Sequence, residues 1–157
     1  MTRVCKILFV FLLLSNLSSA QLQRVNFGNW NFKNVKDKNY LPATVPGTVH
    51  TDLLANGIIE DPFYRDNEKK VQWIEKEDWV YKTEFDFENT EEKIDLVFEG
   101  LDTYANVFIN GQKVLNAENM FRGYRVKDFQ KYLVKGNNVL EVLFRSPIAI
   151  EDSLSKI

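Results

Sequence analysis

A single cysteine, Cys5, and a single histidine, His50, are all the thiol and imidazole that 157 residues contain. Multi-histidine zinc sites and Cys-x-x-Cys metal or redox motifs are therefore excluded. No Gly-rich phosphate loop and no Gly-x-Ser-x-Gly nucleophile elbow occurs. Excess positive charge is lacking too: 20 basic residues against 22 acidic ones give a net charge of −2. That balance offers no basic face for nucleic acid. The seven glycines and four prolines are scattered, so nothing reads as a flexible linker between domains. The chain is also too short for a (β/α)8 barrel, which needs roughly 250 residues.

Only one long apolar run exists. Arg3 and Lys6 precede Ile7-Leu8-Phe9-Val10-Phe11-Leu12-Leu13-Leu14, and the small residues Ser18 and Ala20 stand just before Gln21. This order predicts a secretory signal peptide over 1–20, because the apolar stretch is too short to span a bilayer. The mature chain, 21–157, would then carry no cysteine, no disulfide and no membrane segment. Without Arg3 and Lys6 it would also be more acidic. It must be stabilised by burial alone.

What is abundant is aromatic: 12 Phe, 6 Tyr and 3 Trp. From Trp79 they alternate with charges. Trp79, Tyr81, Thr83, Phe85 and Phe87 fall on one side, with Lys82, Glu84, Asp86 and Glu88 on the other. Period two predicts a strand with one buried face. A polar turn at 89–92 and a second strand through Ile94, Leu96 and Phe98 follow. Asn110-Gly111, between 106–109 and 112–115, is the turn pair of a tight hairpin. Further strands are expected at 120–126 and, after a turn at 135–138, at 139–144. The last is apolar enough for a central position buried on both faces. One helix is expected over 48–56, with Thr48 as N-cap and Gly57 beyond its end, and a short turn of helix near 67–74. Ser146-Pro147 reads as another helix start. Ile150, Leu154 and Ile157 recur at helical spacing to the last residue, so the chain reads as the front piece of something longer. These signals predict an all-β fold, an antiparallel sandwich with one or two short helices, incomplete at its C-terminus.

Chemistry is harder to place. His50 has no serine or acid near it in sequence that forms a recognisable set, and a half-buried place in the first helical turn is expected for it. The acids fall mainly on solvent faces. Asp61-Pro62-Phe63-Tyr64-Arg65-Asp66-Asn67-Glu68, followed by Trp73, combines aromatics, charges and an amide outside any alternating strand. Such a mixture suits a sugar, whose hydroxyls take hydrogen bonds while a C–H face stacks on a ring. Composition alone nevertheless favours Phe63, Tyr64 and Trp73 as core residues under a long loop.

Several segments together resemble a known family. Trp30-Asn31-Phe32, Val45-Pro46-Gly47-Thr48-Val49-His50, Asp61 to Asn67, Trp73 to Trp79 and Asn119-Met120-Phe121-Arg122 are similar to the N-terminal domain of β-mannosidases of glycoside hydrolase family 2. Phe98-Glu99-Gly100-Leu101-Asp102-Thr103-Tyr104-Ala105-Asn106-Val107-Phe108-Ile109-Asn110-Gly111 resembles the wider family's sandwich signature. The resemblance implies a jelly-roll, galactose-binding-domain-like sandwich at the front of a secreted, retaining exo-β-mannosidase acting on terminal β-D-mannose. It implies that both catalytic glutamates lie on a later (β/α)8 barrel against which the sandwich packs, so no catalytic residue is expected here. No metal or cofactor is implied. Asn67, with Asp66 beside it, is the residue that the resemblance places toward the sugar, while Asn110 and Gly111 are expected to serve only their turn. Export leaves periplasm, extracellular space and lysosome open as destinations. A freestanding sugar-binding module, or a purely structural sandwich without hydrolase activity, is the competing expectation.

Overall fold

Alternation becomes architecture through eight strands among the described residues. The computed structural model describes residues 27–88 and 93–155, so the expected signal peptide and the turn at 89–92 lie outside the described residues. In chain order the strands are β1 (Trp30–Asn34), β2 (Leu41–Ala43), β3 (Trp79–Phe87), β4 (Leu96–Phe98), β5 (Tyr104–Ile109), β6 (Gln112–Ala117), β7 (Tyr124–Val126) and β8 (Gly136–Arg145). Six of them form one sheet in the order β2-β1-β3-β8-β5-β6, and β4 pairs with β7 in a second. Every pairing is antiparallel. Three short helices accompany them: α1 (Val49–Ala55), α2 (Asn67–Lys70) and α3 (Pro147–Leu154).

The core lies between the sheets. Phe32, Val107, Ile109 and Leu140 are fully buried on the large sheet, and Leu96, Tyr124 and Val126 face them from the small one. Leu53 of α1 and Ile74 close the core over β1 and β3. Phe32 stacks on Trp79 at 5.9 Å and meets the Tyr81 ring in a tilted contact at 5.5 Å, which ties β1 to β3. On β3 the alternation holds, with Trp79, Tyr81 and Thr83 buried and Glu84 and Asp86 exposed.

Strand β8 is central as expected, but only one of its faces is deeply buried. Asn138, Leu140 and Val142 point into the core, whereas Val139, Glu141 and Leu143 on the outer face are half-buried. Among the described residues no second sheet covers that side, and Glu141 there accepts a 3.4 Å hydrogen bond from the Tyr40 hydroxyl. Two further expectations give way to asparagine and tyrosine side chains. The strand at 120–126 shrinks to Tyr124–Val126, because Asn119 Oδ1 accepts from Phe121 N at 2.8 Å and the Tyr124 hydroxyl binds Asn119 N and O, both at 2.9 Å. Local side-chain bonds there replace the ladder. The turn at 135–138 is instead the start of β8, where Asn137 and Asn138 pair with Asp86 and Phe85.

Helix α1 forms as expected. Thr48 Oγ1 accepts from Thr51 N at 3.2 Å, Thr51 Oγ1 accepts from Thr48 N at 3.0 Å, and Gly57 beyond the end has φ 69°. Gly47 before it allows a close approach, since a Cβ there would overlap the Thr44 carbonyl oxygen. Ser146 caps α3 by accepting from Ala149 N at 3.1 Å, and its own N–H donates to Asp78 at 2.7 Å. Trp79, Phe144, Ala105 and Ala117 form one row across the large sheet. Thus the segment leading into β3, the start of α3 and the loop after β6 all gather at one end of the sandwich.

Candidate functional site

The connection from β2 to β3 holds a concavity beside the aromatic segment. It is an open cleft of about 630 Å3 lined by Glu60, Asp61, Tyr64, Arg65, Asp66, Asn67 and Lys70. A neighbouring hollow of about 250 Å3 shares Glu60, Asn67 and Lys70 and adds Ile58, Ile59, Val71 and Trp73. Asn67 therefore lies where the two meet.

The turn that builds the cleft is closed by hydrogen bonds within seven residues. Asp61 Oδ1 accepts from Phe63 N at 2.9 Å, and the Asp61 carbonyl accepts from Tyr64 N at 3.1 Å. The same carbonyl accepts from Asn67 Nδ2 at 2.9 Å, while Asn67 N donates to the Tyr64 carbonyl at 3.2 Å. An aspartate opening a turn and an amide closing it are the ordinary chemistry of a tight loop. Asn67 is buried as a result, with 7% of its surface exposed. Asp66 points outward, its nearest cation being Lys69 Nζ at 3.8 Å.

Bound this way, the turn cannot tuck its aromatics into the core. Phe63 is 97% exposed and Tyr64 58%. Trp73 is partly exposed and packs at 5.9 Å on Trp79. The expectation that these three are core residues is therefore overturned, most clearly for Phe63. Arg65 is also exposed, and its guanidinium lies 5.1 Å from the Tyr64 ring centre. Glu60 and Lys70, which pair at 3.0 Å, are cleft residues that the sequence did not single out. Their only signal was proximity to the aromatic segment.

His50 is exposed in the first turn of α1 rather than half-buried, because α1 directs Asp52 and Leu53 inward. A buried carboxylate can mark a catalytic centre. Asp52 is one, yet its oxygens are committed: Oδ2 accepts from the Tyr81 hydroxyl at 2.7 Å and Oδ1 from Thr44 N at 2.9 Å. It fastens α1 to β3. Burial, together with the bond to Asp52, pushes the Tyr81 hydroxyl well above the usual tyrosine range. Among the described residues no cluster of three His, Cys, Asp or Glu could hold a metal, and no helix is long and apolar enough to cross a membrane.

Known proteins with this arrangement decide the family. The profile described as glycosyl hydrolase 2 galactose-binding domain-like matches residues 30–156. The chain belongs to this family. Within family 2, the β-mannosidase of Bos taurus is 39% identical over 132 residues, covering 82% of this chain and 15% of that protein. The β-mannosidase B of Emericella nidulans is 38% identical over 131 residues, covering 80% and 16%. The crystal structure of β-D-mannosidase from Dictyoglomus thermophilum superposes with a TM-score of 0.77 at 43% identity, over 83% of this chain and 16% of that one. An exo-chitosanase from Amycolatopsis orientalis, at 22% identity and a TM-score of 0.66, shares the fold. The galactose-binding-domain-like sandwich expected from the sequence is thus the fold of this chain. It spans about 15% of the length of the curated relatives it matches.

Proposed function

We propose that this chain is the N-terminal, non-catalytic domain of an exported, retaining exo-β-mannosidase that removes terminal β-D-mannose from β-D-mannosides. The observation that carries the reading is its 43% identity, across 83% of the chain, to the Dictyoglomus thermophilum β-D-mannosidase. In this account the two catalytic glutamates are supplied by a (β/α)8 barrel on which the sandwich packs. The cleft at 60–70 lies at the rim of the sugar pocket, with Asn67 and Asp66 turned toward sugar hydroxyls. Exposed aromatics beside polar groups support that placement. The signal peptide directs the protein to the periplasm, the extracellular space or the lysosome.

The test is to express the gene product read to its own stop codon and assay p-nitrophenyl β-D-mannoside, β-D-galactoside and β-D-glucuronide. Hydrolysis of the mannoside in preference to the other two is expected. A product that leaves the mannoside intact would overturn the reading.

A further inference from the structure

Sugar hydroxyls both donate and accept, so a cleft that takes a sugar must offer uncommitted donors as well as acceptors. Acceptors are plentiful on Glu60 and Asp66. Most donors of the cleft are already tied in part to neighbours. Asn67 is buried and gives one of its two amide N–H groups to the Asp61 carbonyl at 2.9 Å, and the Lys70 ammonium is held by the Glu60 carboxylate at 3.0 Å. Arg65 is different. Its guanidinium rests 5.1 Å from the exposed Tyr64 ring and has no carboxylate partner among the described residues. Its backbone, moreover, has φ 53°, a left-handed conformation that glycine adopts without strain and arginine does not. An unpaired, exposed guanidinium held at a strained position is a feature that packing does not explain.

We propose that Arg65 is the donor through which this cleft recognises the hydroxyls of a β-mannoside. The Tyr64 ring is the platform for the sugar's C–H face. Asn67 is the positioning residue that presents both by closing the 61–67 turn. The inference rests on the reading of the chain as the sugar-facing domain of a β-mannosidase. It differs from that reading in what it asks of Asn67, which acts here through Arg65 and Tyr64.

Arg65→Gly in the gene product read to its own stop codon is the direct test, because glycine suits the backbone. Its melting temperature should equal or exceed that of the parent protein, while kcat/KM for the β-mannoside falls about tenfold, chiefly through KM. Arg65→Lys should recover little of the loss, since a point charge lacks the planar fork. Asn67→Ala should lower kcat/KM alone but add little in the Arg65→Gly background, the non-additivity expected of a residue acting through its neighbour. Activity of Arg65→Gly within about twofold of the parent would overturn the proposal. So would a loss of activity accompanied by a lower melting temperature. A parent protein inactive on every β-mannoside would remove both this proposal and the reading beneath it, which a silent Arg65 substitution would not do.

Discussion

At the scale of single residues, Asp52 and Tyr81 show how a polar contact can hold a fold together without serving chemistry. Asp52 is 2% exposed, and its two oxygens take the Tyr81 hydroxyl and the Thr44 amide. Because burial and Asp52 favour the protonated hydroxyl, folding raises the pKa of Tyr81 above its ordinary value of 10.0. A raised value means that the stabilisation is complete below the unfolded pKa and is lost as pH rises toward the folded one. Stability measured by urea denaturation should therefore show no pH dependence from this group up to about pH 10 and fall beyond it. In Tyr81→Phe that alkaline decline should flatten, at the expense of lower stability at neutral pH, where Asp52 loses a donor. An alkaline limb unchanged by the substitution would refute this assignment. The pair was not legible in the sequence, since 29 positions separate its members and no local pattern links them. Asn67 was legible as a special residue, but its internal bond to Asp61 was not, nor was the importance of the free guanidinium next to it.

At the scale of elements, turn chemistry read well and side-chain-driven exceptions did not. Asn110 and Gly111 adopt φ 49° and 78°, the two positive values that join β5 to β6 directly. Asn110 does more than turn, however. Its Oδ1 accepts from Val139 N at 3.0 Å, and its Nδ2 donates to Asn138 Oδ1 at 2.8 Å and to the Tyr132 carbonyl at 3.2 Å. Asn138, fully buried, also donates to the Val134 and Gly136 carbonyls, both at 2.8 Å. Together they lock the hairpin tip to the start of β8. Asn110→Gly, which keeps the backbone angle, should lower stability by about 1–2 kcal/mol. Asn138→Ala, which strands several buried groups, should lower it by about 3 kcal/mol or more in the same denaturation experiment. Equal and small effects would show that the network is incidental. The same asparagine chemistry explains the misread segments. Turn-forming residues at 135–138 and strand-forming ones at 120–123 each took the opposite role once Asn138 and Asn119 found partners. β1 and β2 were missed because three to five residues give too short a window for period two to stand out.

At the scale of the whole molecule, two nearly bare phenylalanines are the outstanding feature. Phe63 is 97% exposed and Phe121 90%, on separate loops. The loop carrying Phe121 leaves the end of the sandwich from which α3 also departs. Exposed apolar surface of this kind favours association when the chain stands alone. The domain expressed as residues 21–157 is therefore expected to self-associate in light scattering. A Phe63→Ser/Phe121→Ser variant should shift it toward monomer without a lower melting temperature. A wild-type domain that is monodisperse at high concentration would contradict this. The sandwich itself was legible from aromatic alternation and the hairpin. The cleft was legible only as a composition, because which aromatics stay outside depends on a hydrogen-bonded turn that the sequence does not display.

We propose this chain as the sugar-facing but non-catalytic part of a β-mannosidase. The most direct test of that claim is release of p-nitrophenol from p-nitrophenyl β-D-mannoside, measured side by side for the gene product read to its stop codon and for residues 21–157 alone. Turnover by the first and none by the second is predicted. Turnover by the short domain, or none by the complete product, would contradict the account.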